Sequence, residues 1–81
     1  MVREKNKKLN MLIRIVYKLR TMKDNFYHYD TILDILQPYD YPLPNKDDYI
    51  NLCEKTYRVQ YKEFKLNEQN RIFEEIEIIL T

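Results

Sequence analysis

Glycine is absent from this chain of 81 residues, and its absence excludes several kinds of site. The chain has neither the Gly-rich loop that cradles phosphate groups nor the Gly-rich turn that binds dinucleotides. Two-residue hairpin turns favour glycine at positive φ, so we do not expect such hairpins either. Asn, Asp and Pro punctuate the chain in place of Gly, which is typical of a helical bundle.

Cysteine is scarce too, because Cys53 is the single one in the chain. No disulfide can form within one copy, which is typical of a reducing compartment. The apolar stretch LNMLIRIVYKL at 9–19 is interrupted by Arg14 and Lys18 and is too short to span a bilayer. It also lacks the small-residue cleavage site of a signal peptide. We expect a cytoplasmic protein without a transmembrane segment.

Charge is distributed unevenly, although the formal net charge is only +1. Residues 1–23 contain eight Lys or Arg and one Glu, whereas residues 24–81 contain six Lys or Arg and twelve Asp or Glu. A basic segment can contact nucleic acid or a membrane surface. The interpretation we favour is that it packs beside acidic elements of the same fold.

Apolar residues recur at helical spacing in four segments. We predict helices at about 8–23, 26–37, 46–62 and 68–80, with Asn45 and Asn67 as N-caps and residues 1–8 as a solvated arm. The predicted buried stripes contain Leu9, Leu12, Ile13, Val16 and Leu19; Tyr29, Ile32, Leu33 and Leu36; Tyr49, Ile50, Cys53, Tyr57 and Tyr61; and Ile72, Phe73, Ile76, Ile79 and Leu80. The pattern indicates an all-α fold, a small antiparallel four-helix bundle forming one domain over residues 1–81.

Two features of this prediction have alternatives. Ile76, Ile78 and Leu80 alternate as in a strand, but the preceding NEQNRIFEE contains helix formers at helical spacing, so we interpret the segment as helix. PYDYPLP at 38–44 contains three prolines, which favour an extended crossing over a helix or a central strand. We predict that it is a proline-rich connection between helices two and three.

Few residues suggest chemistry at a catalytic or metal site. His28 is the single histidine, and we interpret it as an exposed loop residue, since a zinc site needs further His or Cys ligands. Cys53 lies on a predicted buried stripe and is interpreted as a core residue. Glu74, Glu75 and Glu77 are interpreted as a solvated helix face. We predict no enzyme activity, no cofactor and no metal site.

Tyrosine is abundant, with eight copies. Tyrosine is favoured at protein interfaces because it joins a large apolar area to a polar tip. In KTYRVQYKEFK it is interleaved with basic residues, a pattern that can also stack on bases. Tyrosine can equally fill the core of a chain without tryptophan. We predict a protein-binding surface formed by helix three, the proline corner and the turn into helix four: Tyr39, Tyr41, Leu43, Tyr61, Lys62, Phe64 and Lys65.

The segments YDTILDIL at 29–36 and EFKLNEQNRIFEEIEIIL at 63–80 resemble those of immunity proteins against class IIa, pediocin-like bacteriocins. The resemblance implies a cytosolic four-helix bundle that is not an enzyme. It also implies that the protein protects the producing cell by acting from inside on the bacteriocin-bound membrane receptor, the mannose phosphotransferase permease. The alternative is a small phage, plasmid or viral regulatory protein that binds a host protein or DNA through its basic N-terminal helix.

Overall fold

The computed structural model describes residues 12–69 and 72–81, and these residues form strands and no helix. The strands are β1 (Leu12–Lys23), β2 (Phe26–Pro38), β3 (Tyr49–Leu52), β4 (Lys55–Asn67) and β5 (Ile72–Leu80). The prediction of an all-α four-helix bundle is therefore wrong, because the fold is all-β. Each predicted helix coincides with one or two strands. The predicted solvated arm at residues 1–8 lies outside the described residues.

The five strands form one curled sheet in the shape of half a barrel, in the order β2-β1-β5-β4-β3. The two central strands, β1 and β5, run parallel. Each is flanked on its outer side by an antiparallel partner, β2 beside β1 and β4 beside β5. The short β3 continues the sheet beyond β4. β1 and β5 are thus the strands that bury most of the core.

The core lies on one face of this sheet, called the core face below. Ile15 lies opposite Ile76 and Tyr17 opposite Ile78 across the parallel pair, so their side chains share that face. The buried cluster consists of Ile13, Ile15, Tyr17, Val59, Ile76, Ile78 and Leu80. Ile and Val fit this environment because branched side chains pack well on a pleated surface. Burial raises the pKa of the Tyr17 hydroxyl, and the nearby Tyr41 raises it further.

The alternation at the end of the chain is that of a strand. Ile76, Ile78 and Leu80 all point into the core, so the strand alternative was correct for this segment and the helix was wrong. The same holds in β1, where the core residues Ile13, Ile15 and Tyr17 are two apart.

Both two-residue hairpins form without glycine. Asp24 and Asn25 join β1 to β2 with φ of 55° and 67°, and Cys53 and Glu54 join β3 to β4 with φ of 51° and 68°. Positive φ at both central positions is the signature of the type I′ turn. The expectation that such hairpins are absent is therefore wrong. Cys53 is exposed at its turn, which also corrects its interpretation as a core residue.

The proline-rich segment connects β2 to β3 and lies over the core face. Tyr39 and Leu43 pack against the core cluster from this connection. The connection ends beside β4, where the Asp47 amide donates to the Val59 carbonyl at 2.8 Å and the Val59 amide donates to the Asp48 carbonyl at 2.8 Å. The connection thus covers apolar surface that the half-barrel leaves open.

None of the residues 12–69 and 72–81 belongs to a helix long and apolar enough to cross a membrane.

Candidate protein-binding surface

The face of the sheet opposite the core carries ion pairs that link four strands; it is called the second face below. The Arg14 guanidinium bonds Asp34 of β2, with Nε to Oδ1 at 2.9 Å, and Glu75 of β5, with Nη1 to Oε1 at 3.2 Å. Lys18 Nζ and Lys65 Nζ lie 2.8 and 3.2 Å from the same oxygen of Glu77. Ion pairs thus connect β2 to β1, β1 to β5, and β5 to β4 across the sheet.

These contacts shift the pKa of the groups involved. The Arg14 hydrogen bond lowers the pKa of the Asp34 carboxyl. The Lys18 hydrogen bond is the main cause of the lowered pKa of Glu77, and burial opposes it. Glu77 is only 8 % exposed, and a carboxylate so buried is stable only when it is paired and hydrogen-bonded. The two lysines therefore hold Glu77 in its charged form.

A cleft opens on the second face between two tyrosines. It has a volume of about 290 Å³ and is lined by Lys18, Tyr29, Tyr61, Glu63, Glu77 and Ile79. Tyr29 comes from β2 and Tyr61 from β4, and a hydrogen bond between their side chains is the main cause of the raised pKa of Tyr61. The cleft therefore brings together residues of β2 and β4 across the two central strands.

The β1–β2 hairpin continues past the end of the neighbouring strand. Pairing between β1 and β5 ends at Leu19 and Leu80, whereas β1 and β2 stay paired to Lys23 and Phe26. Residues 20–29, called the hairpin arm below, are therefore flanked by no third strand of the described residues. Every residue from 21 to 29 is exposed, and the molecule measures 53 × 30 × 18 Å along its principal axes. The arm is a projecting two-stranded ribbon.

Large apolar and aromatic side chains cover this arm. Strand alternation places Arg20, Met22, Tyr27 and Tyr29 on the second face, because Arg20 lies opposite Tyr29 and Met22 opposite Tyr27. Phe26 lies on the other face, opposite Lys23. Met22 is 62 %, Tyr27 53 % and Phe26 71 % exposed. The Arg20 guanidinium carbon lies 4.4 Å from the centre of the Tyr27 ring, so the two side chains are stacked.

The seven residues predicted as a binding surface do not form one surface. Tyr39 and Leu43 pack on the core, and Tyr41 is exposed near them. Lys62 lies on the core face, since its Nζ is 3.3 Å from Asn45 Oδ1 of the proline-rich connection. The other three members are divided between the two faces: Tyr61 lines the cleft, Lys65 pairs with Glu77, and Phe64 packs on Phe73 with ring centres 5.4 Å apart.

The arm was missed because its residues were divided between the two helices predicted at 8–23 and 26–37. The signal was nevertheless present in KLRTMKDNFYHY at 18–29. Its Asp-Asn pair consists of two turn residues and is flanked by residues with strand propensity, including Thr21 and Tyr27, which indicates a turn between two strands. Asn tolerates positive φ better than most residues, so the pair forms the turn without glycine.

The remaining candidates lie apart from one another. His28 is exposed within β2, not in a loop, and Cys53 is exposed at the β3–β4 turn. Asn67 is no helix cap but ends β4, where its side-chain oxygen accepts from the Gln69 amide at 2.8 Å. Asn45 likewise caps no helix: its amide donates to Asp48 Oδ2 at 2.8 Å. Within residues 12–69 and 72–81, no group of three His, Cys, Asp or Glu is placed to hold a metal ion.

No family model matches the chain, and neither a curated protein nor a solved structure is significantly similar to it.

Proposed function

We propose that this protein is a non-enzymatic binding module whose hairpin arm docks on another protein. The observation that carries the proposal is the composition of the arm. The cores of protein interfaces are enriched in Tyr, Phe, Met and Arg and depleted of Lys, Glu and Asp. Arg20, Met22, Phe26, Tyr27 and Tyr29 are the enriched types, and they lie together on ten residues that project from the sheet.

The way the arm is held supports a role in docking. An isolated two-stranded hairpin is marginally stable in water, but both strands of this arm continue into the sheet. Tyr29 at the base of the arm also lines the cleft together with Tyr61 of β4. A partner would therefore meet a largely preformed ribbon, and preformed elements lose less entropy on binding.

The charge of the arm favours a protein over nucleic acid. Residues 20–29 contain Arg20, Lys23 and one acidic residue, Asp24. Binding to a phosphate backbone strengthens with the number of cations that contact it, and two cations with one nearby carboxylate make a weak phosphate site. Exposed apolar side chains outnumber the charged ones on this arm. These apolar side chains would stay exposed to water if the arm bound a phosphate backbone.

Site-specific photo-crosslinking in the cells that contain this protein tests the proposal. A photo-reactive residue replaces Tyr27 in one variant and Tyr49, which is 71 % exposed at the other edge of the sheet, in the control. We expect one discrete protein adduct from position 27 and none of the same mass from position 49. Added wild-type protein should compete for the adduct, whereas protein with Met22, Phe26 and Tyr27 all changed to Ser should not. Equal adducts from both positions would contradict the proposal.

The identity of that adduct also tests the immunity hypothesis, which remains a prediction. The fold that the resemblance implied is corrected above, but a membrane receptor complex as partner is a separate claim. Mass spectrometry of the adduct would support it if the crosslinked protein is a subunit of the mannose phosphotransferase permease. An adduct with a soluble host protein would favour the phage, plasmid or viral alternative.

A further inference from the structure

We infer that Arg20 is the residue of the hairpin arm that binds a carboxylate, so that the partner presents an Asp or Glu side chain beside its apolar contact surface. The inference rests on the proposed function and adds the chemistry of the partner to it. Three features of Arg20 support it: it forms no ion pair within the described part of the chain, it is stacked on an aromatic ring, and its neighbours on the arm are apolar.

Arg20 differs from the other two arginines among residues 12–69 and 72–81. Arg14 is paired with Asp34 and Glu75, and Arg58 is paired with Asp47 at 2.6 Å. Arg20 forms no ion pair with any described residue, and its guanidinium group lies over the Tyr27 ring. An arginine that is half-buried without a carboxylate retains its hydrogen-bond donors for a ligand.

Glu77, Glu63 and Asp30 form no ion pair with Arg20. Glu77 is held by Lys18 and Lys65. Glu63 lies across the cleft on β4 and is not ion-paired with Arg20. The charge of Glu63 raises the pKa of Tyr61, and the charge of Arg20 lowers it. Asp30 lies opposite Leu19, so alternation directs it to the core face. No carboxylate of the described residues therefore forms an ion pair with Arg20.

The stacking on Tyr27 prepares Arg20 for a carboxylate. A guanidinium that lies over a ring presents its N–H groups outward in the plane of the fork, which is the geometry that carboxylates bind bidentately. The ring also limits the rotamers of the arginine before binding, and the entropy cost of binding is lower as a result. Met22 and Tyr29 flank the pair, and partner side chains that pack on them would exclude water from the ion pair.

A lysine at position 20 would not bind a carboxylate as Arg20 does. The ammonium group of lysine is a point charge and cannot form two parallel hydrogen bonds to one carboxylate. Lys23 offers a matched comparison, because it is the other cation of the arm but lies opposite Phe26, on the face that does not contain Arg20. Its removal changes the net charge of the arm by the same amount without affecting the stacked site.

The test selects twelve-residue peptides from a random display library on the wild-type protein. Synthetic copies of the selected peptides are then added to isotope-labelled protein, and the amide signals of residues 20–29 show which peptides bind the arm. We expect the arm-binding peptides to contain an Asp or Glu next to apolar residues. Arg20→Gln should weaken them about tenfold or more, as at an interface hot spot. Arg20→Lys should not restore binding, and Lys23→Gln should change it less than about twofold.

Two different failures are distinguishable in this experiment. Arm-binding peptides that lack acidic residues, or that bind Arg20→Gln as tightly as the wild type, would overturn the inference and leave the arm as a docking element. Recovery of no peptide, or only of peptides that leave the signals of residues 20–29 unchanged, would count against the proposed function as well. Displacement of the peptides by a single-stranded oligonucleotide at physiological salt would identify phosphate as the natural ligand and overturn the inference.

Discussion

Replacing Glu54 by glycine is expected to stabilise the protein, although the native chain contains no glycine. Glu54 has φ of 68° and Cys53 has φ of 51° in the β3–β4 turn. Left-handed backbone costs an L-residue roughly 1–2 kcal/mol because Cβ approaches the carbonyl oxygen. Glycine has no Cβ and avoids this cost. The type I′ turn is therefore strained at a position where a single substitution removes the strain.

The size of the gain follows from two opposing effects. The substitution releases roughly 1–2 kcal/mol of strain in the folded state. It also gives the unfolded chain more backbone freedom, which favours unfolding by about 0.4–1 kcal/mol. The net stabilisation is about 0.5–1 kcal/mol, which raises the melting temperature of a domain of this size by about 2–8 °C.

Thermal unfolding followed by circular dichroism measures this gain, with two control variants. Glu54→Gln keeps the strained backbone but removes the charge, so its melting temperature should equal that of the wild type. Asn25→Gly changes the other hairpin turn, where φ is 67° but Asn already tolerates left-handed backbone. Its gain should be smaller than that of Glu54→Gly. A melting temperature of Glu54→Gly at or below the wild-type value would refute the reasoning.

Two further predictions concern the core and the ion pairs. Ile78→Ala should destabilise the protein by about 2–5 kcal/mol in urea unfolding, since Ile78 is fully buried, whereas Phe64→Ala at an exposed position should cost less; equal losses would contradict the described core. Glu77 has a lowered pKa in the folded state. Its contribution to folding stability is therefore fully present above pH 4.5, the ordinary pKa of a Glu carboxyl, and is lost as the pH falls through the lower pKa of the folded state. The Glu77→Gln variant should therefore be less stable than the wild type at pH 7, by about 1.5–3 kcal/mol. It should also lose less stability than the wild type between pH 5 and 3; parallel curves of unfolding free energy against pH would contradict this role of Glu77.

The fold class was mispredicted because the central strands carry apolar residues on both faces. In β1 the core residues Ile13, Ile15 and Tyr17 alternate, but Val16 is also buried, on the second face. β5 shows the same feature at Ile79. Apolar residues at consecutive and alternate positions mimic the three- and four-residue spacing of a helix. Periodicity alone cannot separate a central strand of this kind from a buried helix.

Composition contained the information that the spacing lacked. The chain has nine isoleucines and eight tyrosines, and both residue types favour strands. The absence of glycine was weighed more heavily, on the assumption that hairpins need it. Asp24 and Asn25 show that a type I′ turn forms without glycine, and Cys53 and Glu54 show that even unfavourable residues are accommodated. The surrounding β-pairing outweighs the local cost at such turns.

The error in fold class also determined the error in the candidate surface. On a helix, Tyr61, Phe64 and Lys65 lie on one face because they are three and four residues apart. On a strand, Tyr61 and Lys65 share a face and Phe64 lies on the opposite one. The structure shows the strand arrangement, with Lys65 on Glu77 and Phe64 on Phe73. Choosing surface residues by spacing is reliable only after the type of element is known.

The uneven charge of the chain is explained in part by pairing within the sheet. We favoured a basic segment that packs beside acidic elements of the same fold; among the described residues 12–23, Arg14 and Lys18 do so, as residues of a strand, whereas Arg20 and Lys23 form no ion pair there. Arg14 pairs with carboxylates of β2 and β5, and Lys18 pairs with Glu77 of β5. The next residue of this face in β1 is Arg20, which lies beyond the last β1–β5 pair and forms no ion pair with the residues that the structure describes. Alternation thus places Arg14 and Lys18 beside carboxylates inside the sheet, whereas Arg20 lies where the arm projects and has no acidic partner among residues 12–69 and 72–81. Because this cation lies among exposed aromatic side chains, the charge pattern and the apolar pattern of the chain converge on one surface.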